Sequence, residues 1–322
     1  MADVGLMIEG QEGLTWDRWR RLAEAVDRSG FESLWRSDHL FSLFGGADRP
    51  GLDCWPSLTY LASATRRIRF GPLVCPITFR HPAMTAREAA AVDVLSGGRL
   101  ELGLGAGWHD GEHQAFGIPY PRVGERIRRL DEAIQVIQAL WADGPARFEG
   151  TYYQLDGGTA WPKPVQRPRI PLVIGGKGPK VLEVAARYAD EWNCGGAQKP
   201  ATVREHTATL EAACGRVGRD PKTIRRSWMG GILIGENGAA LERRARAVQE
   251  YVITRAATPP AQLPSELRDV GWLVGTPEEI TGQMRALTGE GISRFNLQFF
   301  TLDDLDAVHL IAEQVIPAVA SL

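Results

Sequence analysis

The chain has 322 residues, 44% hydrophobic and 24% charged, with a formal net charge of -2. That balance excludes a disordered chain and gives no electrostatic case for nucleic acid or an anionic membrane as the main partner, so a small molecule is the expected one. No apolar run approaches the roughly 20 residues that span a bilayer, and Met1-Ala-Asp-Val-Gly5 lacks a basic-then-apolar leader, so a cytoplasmic protein is expected.

Short β-rich runs alternate with helical patterns from end to end. A first strand is predicted over Val4–Glu9. The helix that follows, Trp16–Ser29, puts Trp19, Leu22, Ala23 and Val26 on one stripe, with Gly30 as its closing residue. Further strands are predicted over Ser33–Asp38, Ile68–Pro76 and Leu100–Gly107. A helix over Ile127–Trp141 carries Leu130, Ile134, Ile137 and Leu140 on one face. Strands over Pro171–Gly176, Glu191–Gly196, Ile224–Gly235 and Phe295–Phe300 complete eight, and Thr276-Pro277-Glu278-Glu279 opens a late helix with a cap residue and a first-turn proline. Eight βα units predict a single α/β domain over residues 1–322, a (β/α)8 TIM barrel with its function at the C-terminal ends of the strands. Two insertions are too long for barrel loops. Residues 145–169 are expected to fold over one barrel end, and residues 238–271 to form a lid or an interface element.

Cys54, Cys75, Cys194 and Cys214 have no CxxC spacing, which predicts reduced thiols, no metal site and no disulfide framework. Chemistry is expected first at Asp38 and His39, where a strand ends in an acid and an imidazole turned toward solvent. A histidine at a barrel rim suits general acid-base work near neutral pH, with Asp38 fixing its tautomer. A capping aspartate beside a merely hydrogen-bonded histidine is the competing structural reading.

Gly103-Leu-Gly105-Ala106-Gly107-Trp108 does not complete a dinucleotide fingerprint, because the third glycine position is Trp108. The glycines either let neighbouring strands approach or form a floor under a planar ring, with Trp108, His109 and Glu112 facing substrate. Gly175-Gly176-Lys177-Gly178 before a helix starting at Pro179 suits a phosphate, through exposed N–H groups, the positive helix end and Lys177. Gly195 and Gly196 arrive at the same barrel end from the next strand.

Taken in order, these segments resemble the bacterial luciferase-like family of flavin and deazaflavin oxidoreductases. The resemblance is carried by Ser37-Asp38-His39-Leu40, Phe70 to Pro82, Leu95 to Trp108, Ile174 to Gly178 and Ala189-Asp190-Glu191-Trp192-Asn193, with a weaker match from Gly275 to the end. Asp38-His39 and Trp108-His109-Asp110 are more similar to the branch that uses the deazaflavin coenzyme F420. FMN-dependent monooxygenation and a non-catalytic flavin-binding relative are the alternatives.

The resemblance implies a cis peptide at Leu73-Val74 behind the ring, with Asp38, Gly105, Ala106 and Gly107 lining it. Gly175, Gly176, Lys177, Gly178, Pro179, Gly195 and Gly196 would hold the phosphate. His39 would move a proton while hydride passes between cofactor and substrate, with Trp108, His109 and Glu112 as further catalytic candidates. Departures at Trp108, Gly195 and Gln198 from the family's glucose-6-phosphate dehydrogenases imply a less polar substrate, near Phe41, Phe44 and Trp55. The resemblance and the apolar helices Trp55–Ala62 and Ala83–Val94 imply a homodimer.

Overall fold

The computed structural model describes residues 2–46 and 48–320. Its strands are β1 (Asp3–Ile8), β2 (Ser33–Arg36), β3 (Arg69–Pro72), β4 (Cys75–Pro76), β5 (Leu102–Gly105), β6 (Ala146–Glu149), β7 (Gln154–Gly158), β8 (Leu172–Gly175), β9 (Glu191–Cys194), β10 (Arg225–Ile234), β11 (Leu273–Gly275) and β12 (Arg294–Phe299). β3 and β4 are halves of one stave, parted at Leu73-Val74, whose peptide is cis. The parallel order runs β3, β2, β1, β12, β10, β9, β8, β5, β4, and a bridge from Phe70 to Leu100 closes the ring. Eight staves result, as the sequence rhythm predicts.

Apolar periodicity fixes the helices around them. Trp16–Arg28 buries Trp19, Leu22, Ala23 and Val26, and the Thr15 hydroxyl accepts the Arg18 N–H. Each such side chain contributes about 1.5–3 kcal/mol on full burial. Ser29, not Gly30, caps its C-terminus, and Gly30 has no left-handed backbone. The helix predicted from Ile127 starts a turn earlier, at Val123, and ends at Trp141. Thr276 and Glu279 form the reciprocal cap of Pro277–Thr288.

Sequence reading missed β11. Three residues are too few to show alternation, and they pair only with the extension Ile232–Ile234 of β10. Residues 145–169 hold the β6–β7 hairpin, tied to helix Val123–Trp141 by Glu132, which accepts the N–H groups of Thr151, Tyr152 and Tyr153. The stretch beyond it crosses the N-terminal ends of the staves, where Asp93 accepts the Val165 N–H at 2.8 Å and Gln166 donates to the Leu100 carbonyl at 2.7 Å.

Residues 238–271 lie at the opposite end. Their helices Gly238–Tyr251 and Leu263–Asp269 build a second apolar cluster with Leu233, Val274 and Phe300. The Ile253 N–H donates to the Phe44 carbonyl at 2.9 Å, and Arg49 donates to the Tyr251 carbonyl at 2.7 Å. This insertion therefore braces the loop after β2.

Inside the N-terminal end, Arg294 is fully buried and lies 2.7 Å from each of Glu32, Glu101 and Glu191. Glu101 has Arg69 as a second guanidinium, and its carboxyl is held below the usual range despite burial. Glu191 has its second guanidinium, Arg225, farther off at 3.9 Å, and burial pushes its carboxyl up to about 7.

Candidate active site

A cavity of about 650 Å³ opens at the C-terminal ends of the staves, where each strand hands its last side chain to a loop. Around the ring, β1 and β2 stand opposite β8 and β9. His39 and Glu9 thus face the cavity from one side, and the glycine pairs at 175–176 and 195–196 from the other.

On the proton-handling side, Glu112 is buried behind His39. Its Oε2 lies 2.8 Å from Nδ1 of His39, and its Oε1 accepts the Leu40 N–H at 2.6 Å. Burial alone would lower the His39 pKa, but the Glu112 hydrogen bond and the charges of Glu9, Glu112 and Asp38 outweigh it and raise it. Burial would conversely raise Glu112, yet His39, the Leu40 N–H and His109 bring its carboxyl below the usual range. With Nδ1 engaged by Glu112, Nε2 is the nitrogen left for a ligand. Trp108 stands edge-on to His39 at 5.8 Å between ring centroids and is largely exposed at the mouth.

Two sequence expectations change here. Asp38 is buried and paired with Arg80, so it neither turns to solvent nor lines the cavity, and Glu112 rather than Asp38 holds the imidazole. Strand β2 ends at Arg36, and the loop beyond it turns Asp38 to Arg80 and His39 to the cavity. His109 caps the short helix Asp110–Ala115, accepting the Glu112 N–H at 3.3 Å, and lies 3.5 Å from the Glu112 carboxylate. Trp55 is buried in the core beneath the rim, and Phe41 packs on Phe116.

The opposite walls are backbone. Leu73, Val74, Gly105, Ala106 and Gly107 line the cavity together. A Cβ on Gly103 would sit 2.0 Å from the Pro72 carbonyl oxygen, so that glycine serves strand approach. One on Gly105 would sit 2.6 Å from Val74 Cγ2. Gly105 therefore makes room for the Val74 side chain to project where β3 breaks, giving a flat wall of backbone and one isopropyl group.

Gly175, Gly176, Lys177, Gly178, Gly195 and Gly196 line the far end, with Pro179 the first residue of helix Pro179–Tyr188. That helix and Pro200–Arg216, which follows Gly195-Gly196, start without a side-chain cap, whereas Thr15, Asp53 and Thr276 cap theirs. Exposed N–H groups at two neighbouring helix starts, with Lys177 beside Gly196, fit a phosphate. The residues present thus match a planar ring against Val74 and an anionic tail over the glycines. Sequence reading missed Glu9, Ser37, Asn193, Met229 and Gln298, which also line the cavity. Their signal was position: each ends or directly follows a barrel strand or lies on its inward face.

Residues 2–294 match the luciferase-like monooxygenase family. The chain belongs to this family. It is 29% identical to the F420-dependent hydroxymycolic acid dehydrogenase of Mycobacterium tuberculosis (strain ATCC 25618 / H37Rv), over 98% of this chain and 87% of that protein. It is 27% identical to the FMNH(2)-dependent dimethylsulfone monooxygenase of Pseudomonas putida, over 99% of this chain and 93% of that one. Among solved structures it is similar to an F420-dependent secondary alcohol dehydrogenase in complex with an F420-acetone adduct, with a TM-score of 0.83, 22% identity and 99% of each chain covered. The luciferase-like barrel and an oxidoreductase of that family are thereby established. Among the described residues no helix is long and apolar enough to cross a membrane.

Proposed function

We propose that the protein is an F420-dependent dehydrogenase or reductase that interconverts an alcohol and a carbonyl on a substrate of low polarity. The observation that carries this reading is the His39–Glu112 pair at the cavity wall, opposite the glycine end. Removing a hydride from a carbinol carbon leaves a hydroxyl proton that needs an acceptor; in reverse, a carbonyl oxygen needs a donor. His39 Nε2 fills both roles, with Glu112 stabilising the imidazolium. Val74 and the Gly105–Gly107 backbone would back the ring of a bound deazaflavin, which would supply the hydride-exchanging carbon. Lys177 and the uncapped helix starts would hold its phosphate, and Trp108, Val123 and Ile127 line the same cavity.

The long alignment with an F420-dependent dehydrogenase supports this cofactor. An equally long alignment with an FMNH(2)-dependent monooxygenase supports the second reading, reduced FMN with oxygen. Titrating the protein with F420 and with FMN separates them. Tighter F420 binding, with absorbance change on adding secondary alcohols, is expected. Selective FMN binding with oxygen consumption would overturn the first reading.

A homodimer of a cytoplasmic protein completes the proposal. Trp55, Leu58, Leu61 and Ala62 are spent in the protomer's own core, so the exposed apolar surface comes from Met84, Ala91, Val94 and Leu95 on helix Pro82–Ser96.

A further inference from the structure

The carboxylate of Glu9 is a cavity group that hydride and proton transfer leave unused. It directly follows β1, is 6% exposed, and lies in the cavity wall on the His39 side. Gln11 donates to its Oε2 at 2.8 Å, and Gln298 on β12 donates to its Oε1. Anchored by amides from both flanks, the carboxylate keeps one orientation, and each oxygen retains accepting capacity.

Charge around the cavity is divided. Lys177, its cationic counterpart, follows β8, diametrically across the ring from β1. On the His39 side the acids are Glu9, Glu12, Glu112 and Asp38; Arg80 is taken by Asp38 and Arg49 by Glu12, Arg36 is spent on the Ser37, Leu52 and Asp53 carbonyls and the Ser57 hydroxyl, and any charge on His39 is balanced by Glu112. An anion placed beside His39 therefore meets a fixed negative charge at its own depth, in a setting where burial strengthens the repulsion. The rest of that half is Ser37, whose hydroxyl is engaged by the Gly10 N–H and Gln11, and the apolar Leu43, Phe44 and Trp108.

We propose that Glu9 is a substrate-facing specificity residue whose fixed carboxylate bars substrates that carry a carboxylate or phosphate near the reacting carbon. The substrate class is then an uncharged hydroxyl compound with an apolar body. This rests on the proposed F420-dependent alcohol chemistry, and its test reads binding rather than turnover.

Protein saturated with reduced F420 under anaerobic conditions forms a non-reacting complex with an alcohol. Calorimetric titration of that complex uses two probes of matched chain, 2-octanol and 2-hydroxyoctanoate. The wild type binds 2-hydroxyoctanoate at least about 10-fold more weakly than 2-octanol, as a buried like-charge contact requires. Glu9→Gln brings the two dissociation constants within about 3-fold by relieving the anion. Glu9→Asp, which keeps the charge and covers the case in which Glu9→Gln misfolds, retains the wild-type order. Equal wild-type affinities, binding of neither probe, or unchanged discrimination in folded Glu9→Gln would overturn the assignment. Failure of the wild type to take up reduced F420 in the preceding titration would instead overturn the cofactor reading.

Discussion

Glu112 Oε2 and His39 Nδ1 lie 2.8 Å apart across 73 positions of sequence. The pairing sets both the tautomer and the charge of the imidazole, because a buried carboxylate favours the protonated ring more than burial disfavours it. Alcohol oxidation needs neutral His39, so its rate should rise with pH to a limb above the ordinary histidine value of about 6.5. In Glu112→Gln that limb should move to lower pH, measured as kcat/KM against pH. The stability sign is the same: a raised histidine stabilises fully below its unfolded value and loses the contribution as pH rises through the folded one. The wild type should therefore exceed Glu112→Gln in Tm at about pH 6 by more than at about pH 9. A limb unmoved by the substitution would detach Glu112 from the proton transfer.

His39→Ala should fold, and bind F420 within a few-fold of wild type, since the ring and phosphate walls are elsewhere. Single-turnover hydride transfer should fall by about 10²–10⁴-fold. Near-normal transfer in this variant would make His39 structural and turn attention to His109.

At the other end of the barrel, Glu191 shares Arg294 with Glu32 and Glu101, and its carboxyl is pushed up to about 7 by burial. A raised acid favours the protonated folded state, so this contribution is present at low pH and is lost as pH rises from about 4.3 through about 7. Glu191→Gln should flatten the fall in Tm across that window and leave the cofactor site unaffected. Retention of the full wild-type slope would assign it to another group.

The staves were legible because parallel barrel strands are short apolar runs bounded by glycines, as at Leu172–Gly175 and Leu102–Gly105. β11 was not, since its only partner is the overhang of β10 and its three residues show no period. In the site, glycine-rich loops announced themselves, while Asp38 misled: β2 ends at Arg36, and the loop beyond it turns Asp38 to Arg80 and His39 to the cavity. Glu112 was visible as a candidate but not as His39's partner, because that contact is made by tertiary packing across 73 positions. Glu9 went unweighed because its carboxylate is held in the cavity wall by Gln298 from the last strand.

Lys177 and the uncapped starts of helices Pro179–Tyr188 and Pro200–Arg216 place positive potential at the glycine end of the cavity. Lys177→Ala should weaken F420 binding without shifting the pH limb assigned to His39. The lost affinity should shrink as ionic strength rises, because an exposed ammonium is screened over about 8–10 Å. An unchanged dissociation constant at low salt would locate the phosphate away from this loop.

Assembly offers the last test. Met84 and Leu95 are 52% and 50% exposed on helix Pro82–Ser96, and Val94 between them is 39% exposed. With Ala91 they recur at helical spacing on the face turned away from the protomer core, a stripe that a monomer would leave in water. Light scattering at micromolar concentration should give the mass of a dimer. Met84→Glu with Leu95→Glu should give monomers that keep the wild-type circular dichroism, since neither side chain contributes to the core. A wild-type monomer would refute the dimer, and a dimer surviving both charges would place the interface on another face.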